Sequence, residues 1–156
     1  MADVRTTAAD APEAQAHLPV TARTTHLLDT NICAYLMRQR PASVLERLAA
    51  LGPAHVAVSV ITAIELRTGA ELAGAPKKYH ALLDTFLAEI PVLALGTDAV
   101  QRSAEVRATL RRAGKPIGEL DALIAGHALA LDLVLVTHNT REFARVARLV
   151  VEDWAE

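Results

Sequence analysis

Short apolar runs alternate with longer amphipathic segments along the chain. The short runs are rich in β-branched or leucine residues and predict five buried strands: HLL, HVAVS, PVLAL, LVLVT and LVVEDW. Between them, apolar residues recur at intervals of three and four positions, which predicts helices. Strands separated by helices favour an α/β fold, an α/β/α sandwich whose central, mainly parallel sheet carries helices on both faces.

Polar residues at the ends of these runs predict where helices begin. Thr30 or Asn31 is expected to cap the helix that follows HLL, and Ser59 the helix that contains ITAIEL. Thr97 or Asp98 is expected to cap a long helix that ends before GKPIG. The segment ELDALIAGHALAL predicts a further helix, which leads directly into the strand LVLVT.

The first part of the chain differs from the rest. Residues 1–24 contain mainly Ala, Thr, Asp and Pro, with few large apolar side chains. Such a segment has no apolar stripe to bury, so we expect a flexible N-terminal extension. The remaining residues, 25–156, fit one domain.

Composition excludes several classes of protein. Aromatic residues make up only 3% of the chain, which argues against a stacking surface for single-stranded bases. The single cysteine, Cys33, excludes an internal disulfide and a cysteine zinc site. Neither an apolar stretch of about 18 residues nor a secretory signal core is found, so we expect no membrane association and a cytoplasmic location.

The net charge of −2 provides no general attraction for nucleic acid, so any such binding must use a local patch. A basic run precedes the motif IGELD and includes Arg111, Arg112 and Lys115. These residues form either a solvated helix face or contacts to RNA phosphates, since arginine matches the geometry of phosphate oxygens.

Four acidic residues stand in motifs of their own: Asp29 in LLDTN, Glu65 in ITAIEL, Asp121 in IGELDALIAGHA and Glu142 in THNTREF. Asp29 follows the first predicted strand, Glu65 lies in the helix after the second, and Glu142 follows LVLVT. The helix that begins near Asp121 runs antiparallel to LVLVT, so it starts at the same edge of the sheet. Ligands bind at that edge in parallel sheets, and we expect the four acids to converge there.

A cluster of carboxylates predicts a metal ion. Buried carboxylates repel one another and are costly without a compensating cation. Because the ligands would all be oxygens, the metal expected is Mg²⁺, with Mn²⁺ as a substitute.

Each acid also has an ordinary structural explanation. Asp29 could cap the following helix, and Glu65 could close a capping box with Thr62. Asp121 could be a favourable acid in the first turn of a helix, and Glu142 could simply be solvated in a loop. The motifs taken singly leave both kinds of explanation open.

Taken together, the motifs resemble the PIN-domain family, specifically the VapC toxins of bacterial toxin–antitoxin pairs. The resemblance covers residues 25–154, in the segments HLLDTNICAYL, VSVITAIELRTGA, IGELDALIAGHALALDLVLVTHNTREFARV and LVVEDW. It implies that the acids are the catalytic metal ligands and that three further residues are accessory polar groups. The implied ligands are Asp29, Glu65, Asp121 and Glu142, and the accessory residues are Thr30, Asn31 and Asn139.

The resemblance also implies an activity and partners. They are those of a Mg²⁺-dependent endoribonuclease toxin that cleaves structured RNA, often tRNA, and arrests translation. A homodimer and a cognate antitoxin protein are implied as well. The chain departs from the family pattern in its leading 24 residues and in Glu119, which adds an acid next to the Asp121 motif.

Two other functions remain alternatives. In the first, the protein is a metal-dependent phosphatase or phosphoacceptor with Asp29 as nucleophile, although the sequence Asp29-Thr30-Asn31 lacks the second acid of a D-x-D motif. In the second, the same fold serves as a non-catalytic binding module.

Overall fold

The chain folds into a five-stranded sheet joined by helices, as the alternating pattern predicts. The computed structural model describes residues 23–156, so most of the predicted extension, residues 1–22, lies outside the described residues. The strands are β1 (His26–Leu28), β2 (Val56–Ser59), β3 (Val92–Leu93), β4 (Val134–Val136) and β5 (Val151–Glu152). The helices are α1 (Thr30–Arg38), α2 (Ala42–Leu51), α3 (Val60–Leu72), α4 (Lys77–Glu89), α5 (Thr97–Arg112), α6 (Glu119–Ala130) and α7 (Thr140–Phe143). A short 3₁₀ turn, Pro53–His55, precedes β2.

The strands lie in the order β3-β2-β1-β4-β5, and every neighbouring pair is parallel. The prediction of a mainly parallel sheet is therefore confirmed. In the central strands, Leu28 lies opposite both Val58 and Val136. The residues that come directly after these three strand positions therefore lie side by side at the carboxyl edge of the sheet, where parallel sheets bind their ligands.

Alternation along each strand divides the core into two layers. Leu27 and Leu135 face a cluster with buried residues of α5, α6 and α7, such as Ile124. Leu28 and Val136 face the opposite cluster, which contains buried residues of α1 to α4. Neighbouring strand residues point to opposite faces of a sheet, so apolar strand runs of this kind require helices on both sides.

The predicted caps are partly confirmed. The Ser59 hydroxyl caps α3 and accepts a hydrogen bond from the Ile61 amide at 3.1 Å. The cap of α1, however, is Asp29, so the expectation of Thr30 or Asn31 is wrong. A capping residue needs extended backbone, which Asp29 has (φ −78°, ψ 164°), whereas Thr30 and Asn31 already lie within the helix.

The start of α5 also differs from the prediction. It begins after Gly96 without a side-chain cap, and both Thr97 and Asp98 lie inside the helix. Downstream, α5 packs closely on α6 at Gly126, where a Cβ atom would collide with the backbone of Ser103. Within residues 23–156, none of the helices has the length and apolar character needed to cross a membrane.

Candidate metal and active site

Asp29 is buried at the junction of β1 and α1, with 5% of its surface exposed. Its Oδ1 accepts a hydrogen bond from the Thr30 amide at 2.8 Å, and its Oδ2 accepts one from the Thr137 hydroxyl at 2.7 Å. Burial raises the pKa of Asp29, and the two hydrogen bonds oppose that shift. Asp29 thus caps α1 with Oδ1 and contacts the residue that follows β4 with Oδ2.

Thr137 is a site residue that the sequence patterns did not indicate. It follows β4 as Asp29 follows β1, and the register that pairs Leu28 with Val136 places the two residues side by side. The Thr137 side chain is fully buried, and its hydroxyl oxygen also accepts a hydrogen bond from the Asn139 amide at 3.0 Å. A polar residue directly after a second central strand is the signal that could have identified it.

Glu65 reaches the site from α3. The Thr30 hydroxyl donates a hydrogen bond to Glu65 Oε1 at 3.1 Å, which joins α3 to the start of α1. Burial raises the pKa of Glu65, the bond from Thr30 lowers it, and the charge of Asp29 raises it further. Thr30 therefore contacts two acids, Asp29 through its amide and Glu65 through its hydroxyl.

The capping box suggested for Glu65 is not formed. Thr62 lies inside α3, and the cap position belongs to Ser59. The Thr62 hydroxyl is buried and has no hydrogen-bond partner among residues 23–156. Glu65 is instead engaged by Thr30, so the capping-box interpretation is wrong.

Asp121 lies in the first turn of α6, next to the fully buried side chains of Ile124 and Ala125. Its pKa is raised to about 6, first by burial and then by the charges of Asp29, Glu65 and Glu142. In the described part of the chain, its carboxylate accepts no hydrogen bond that would oppose this shift. The charges of the other three acids therefore act on Asp121, and the assignment of all four to one metal site stays a prediction.

Glu142 lies in the short helix α7 and is partly buried, so its expected position in a loop is wrong. Asn139 precedes this helix and contributes its backbone amide to Thr137, with no side-chain cap bond. Asn31 accepts a hydrogen bond from the His138 amide at 3.2 Å, which joins α1 to the loop after β4. The three accessory polar residues thus lie at the strand ends around the acids, and Thr30 is the one bonded to them.

Glu119 forms ion pairs with two arginines of α5, one of which belongs to the basic run. Arg111 donates to Glu119 Oε1 at 2.5 Å, and Arg107 forms an ion pair with the other carboxylate oxygen. Glu119 is exposed and directed at these arginines, so it does not add its charge to the acid site. Arg112 and Lys115 are exposed and have no carboxylate partner within residues 23–156.

The acids present an all-oxygen donor set suited to a hard divalent cation. Among residues 23–156, no three His, Cys, Asp or Glu side chains converge closely enough to form a ready-made ligand shell. Even so, burial and the charges of Asp29, Glu65 and Glu142 together raise the pKa of Asp121 to about 6. A cation among them would reverse that repulsion, so the residues fit a divalent metal ion that draws the side chains together.

Comparison with known proteins identifies the family of this chain. Residues 26–149 match the family described as PIN domain. The chain is 42% identical to the tRNA(fMet)-specific endonuclease VapC of Shigella flexneri over 129 residues, which cover 83% of this chain and 97% of that protein. It is 39% identical to the protein of the same name from Salmonella typhimurium, over 82% of this chain and 96% of that protein.

Solved structures show the same fold in toxin–antitoxin complexes. The DNA-bound VapBC of Salmonella typhimurium superposes with a TM-score of 0.78 at 38% identity, covering 84% of this chain and 98% of that one. VapBC2 of Rickettsia felis, bound to a DNA fragment from its promoter, also gives a TM-score of 0.78, at 32% identity, covering 84% and 99%.

Proposed function

The chain belongs to the PIN-domain family, and on that premise we propose that it is a divalent-metal-dependent endoribonuclease of the VapC kind. The observation that carries the proposal is the carboxylate of Asp121, whose pKa is raised to about 6, first by burial and then by the charges of Asp29, Glu65 and Glu142. An acid group of this kind, at the carboxyl edge of a parallel sheet, suits metal-assisted cleavage of a phosphodiester bond.

The proposed cofactor is Mg²⁺, with Mn²⁺ as a substitute, and the residues that would hold it are Asp29, Glu65, Asp121 and Glu142. When bound, the ion supplies Lewis-acid polarisation of the phosphate and lowers the pKa of water. The protein's own contribution is orientation. Thr30 and Thr137 fix both oxygens of Asp29, whereas the carboxylate of Asp121 remains free to turn toward a cation.

The arrangement disfavours the phosphoacceptor alternative. A nucleophilic carboxylate must reach phosphorus in line, whereas Asp29 is 5% exposed and both of its oxygens are held in place by hydrogen bonds. The residue two positions later is Asn31, so the second acid of a D-x-D motif is also missing.

For the substrate we propose structured RNA, specifically tRNA, whose cleavage would arrest translation in the cytoplasm. Support comes from the relatives named tRNA(fMet)-specific endonucleases. Arg111, Arg112 and Lys115 are the proposed phosphate contacts. Arg112 and Lys115 are free to make them, whereas Arg111 must first exchange its partner Glu119.

For partners we propose a cognate antitoxin protein and a second copy of the chain. The solved relatives described above are VapBC toxin–antitoxin complexes, which supports the antitoxin. The homodimer rests on the family resemblance. Exposed apolar side chains such as Ile64 on α3 and Val100 on α5 would gain from being covered in an assembly.

The direct test is cleavage of purified tRNA by the purified protein, with fragment 5′ ends determined by sequencing. We expect cleavage at discrete positions in Mg²⁺ and none in excess chelator. Asp121→Asn should be inactive, and Asp98→Asn, which alters an exposed acid in the first turn of α5, should cleave like the wild type. Equal cleavage with and without chelator, or by the Asp121→Asn variant, would show that the proposed function is wrong.

A further inference from the structure

A buried hydrogen bond connects the two helices that carry Glu65 and Asp121. His127 on α6 is 1% exposed, Ser59 at the start of α3 is fully buried, and His127 Nδ1 lies 2.8 Å from Ser59 Oγ. Ser59 and His127 are 68 positions apart in the chain. None of the roles described above for the acid site uses either residue.

The direction of this hydrogen bond follows from the partners of Ser59. Its oxygen already accepts the Ile61 amide hydrogen bond that caps α3, and no other acceptor for its hydroxyl proton is found within residues 23–156. Donation to His127 Nδ1 uses that proton and assigns the ring as neutral, with its own proton on Nε2. Burial lowers the pKa of His127, with the Ala94 backbone acting in the opposite direction, which agrees with a neutral ring.

The cost of placing a histidine here argues that its polar atoms matter. Nε2 is buried and makes no hydrogen bond within normal geometric limits among the described residues, although the Ala94 backbone lies near enough to raise the pKa of the ring. A buried polar atom that is incompletely paired is unfavourable, and an apolar side chain of similar size would avoid that cost. The gain that an apolar residue cannot supply is the bond to Ser59.

We propose that His127 and Ser59 are positioning residues that hold α3 against α6, and with them Glu65 against Asp121. The proposal rests on the proposed function, because it assigns the pair a role in placing two metal ligands. The Ser59 hydroxyl makes both connections, since it caps the start of α3 and donates a hydrogen bond to His127 on α6. Removing it releases the start of the Glu65 helix from the Asp121 helix, while the sheet and both core clusters remain.

The test is the affinity of the full chain for Mn²⁺, measured by isothermal titration calorimetry, with the melting temperature recorded for every variant. Ser59→Ala and His127→Leu should each weaken Mn²⁺ binding about tenfold, as loss of a group that orients metal ligands does. His127→Asn keeps an acceptor near the position of Nδ1 and should restore most of the affinity. Ser59→Ala combined with His127→Leu should be no weaker than either change alone, because both remove the same bond.

Ser103→Ala is the matched control. Ser103 is also a buried serine that contacts α6, through a 3.3 Å hydrogen bond to the Leu123 carbonyl, but it comes from α5 rather than from α3. It should lower the melting temperature to a similar extent and leave the Mn²⁺ affinity within about twofold of the wild type.

The outcomes separate the pair's role from the proposed function. If the wild type binds Mn²⁺ and the Ser59 and His127 variants bind it equally well, the two residues only stabilise the fold and the positioning role is wrong. Failure of His127→Asn to recover affinity, or full additivity in the double variant, would also overturn it. If the wild type itself binds no Mn²⁺, both the positioning role and the proposed metal-dependent nuclease are overturned.

Discussion

The β1–α1 junction and the first turn of α6 each carry a buried or half-buried aspartate whose pKa is raised, but only one of the two side chains accepts hydrogen bonds. Asp29 at the junction is the more deeply buried of the two, and hydrogen bonds to both of its oxygens oppose the rise in its pKa. Asp121 on α6 is less buried, yet its pKa is raised to about 6. The depth of burial alone therefore does not determine the charge of a carboxylate in this site.

The difference lies in the donors available to each side chain. The Asp29 carboxylate exchanges water for the Thr30 amide and the Thr137 hydroxyl. Asp121 loses water without such replacement in residues 23–156, and it also faces three other acids. The site thus combines one oriented carboxylate with one that gains most when a cation arrives.

The strongest test of this contrast compares the two aspartates as asparagines. Both Asp29→Asn and Asp121→Asn should reduce RNA cleavage by roughly 100-fold or more, because each removes a proposed metal ligand. Their stabilities should differ. Asp121→Asn relieves repulsion and should stabilise the metal-free protein by about 1 kcal/mol, whereas Asp29→Asn turns an amide NH₂ toward an existing donor and should destabilise it.

Cleavage assays and urea unfolding in chelator would measure both effects. Asp98→Asn serves as the control for removing an exposed aspartate from the first turn of a helix. A stability change of the same sign in both variants would contradict the contrast between the two aspartates.

Removing the Thr137 hydroxyl, which donates a hydrogen bond to Asp29, should leave Asp29 less well compensated and so more like Asp121. Thr137→Val deletes the hydroxyl that contacts Asp29 and the acceptor used by the Asn139 amide. We expect about 1–3 kcal/mol lower stability, from the buried groups left unpaired, and roughly tenfold slower cleavage. Thr85→Val removes an exposed hydroxyl on α4 and should change neither quantity, so equal effects at the two positions would refute the role given to Thr137.

The protonation of Asp121 predicts a pH dependence for the metal-free protein. Its pKa rises from 3.8 to about 6 on folding, so the folded state binds the proton more tightly than the unfolded state does. Stability must then fall as pH increases through that window, by about 1 kcal/mol between about pH 4 and 6 once solvent screening is allowed for, and level off above it. The decrease attributable to Asp121 should be missing from Asp121→Asn in unfolding measurements with chelator; parallel curves for the two proteins would contradict it.

The smallest expected effect concerns the basic run. Arg112→Ala should lower the salt dependence of RNA affinity by about one unit of log–log slope, because this side chain is free to contact a phosphate. Arg111→Ala should lower it by less, since Arg111 is already paired with Glu119. Affinity measured across a salt series in Ca²⁺ tests this, with Arg47→Ala on α2 as the control. Equal slopes for Arg112→Ala and wild type would mean that the basic run does not contact RNA phosphates and is only a solvated helix face.

Local patterns explain how much of this protein could be predicted. The apolar runs specify strands, and the intervening periodicity specifies helices, because both depend only on which neighbouring positions are apolar. The strand–helix order then sets a parallel sheet, so the positions of Asp29 and Asp121 relative to one edge follow without any knowledge of packing.

The exact partners of each side chain were decided by the tertiary structure. Thr137 meets Asp29 because two strands pair in one register, and Arg111 meets Glu119 because α5 packs on α6. The capping box between Thr62 and Glu65 is consistent with the local spacing, yet Thr30, 35 positions away, takes its place. A hydrogen bond requires atoms to meet within a few tenths of an ångström, and a sequence pattern does not specify distances at that scale.

What the sequence determined by itself is therefore the architecture and the edge of the sheet at which the four acids are predicted to lie, since these follow from periodicity and residue order. What only the tertiary structure decided is the environment of each acid, with Asp29 held by two donors and the pKa of Asp121 raised to about 6. The physical reason is that a carboxylate's pKa depends on desolvation, on nearby charges and on hydrogen-bond donors. All three are set by residues that are distant in the chain and adjacent only after folding.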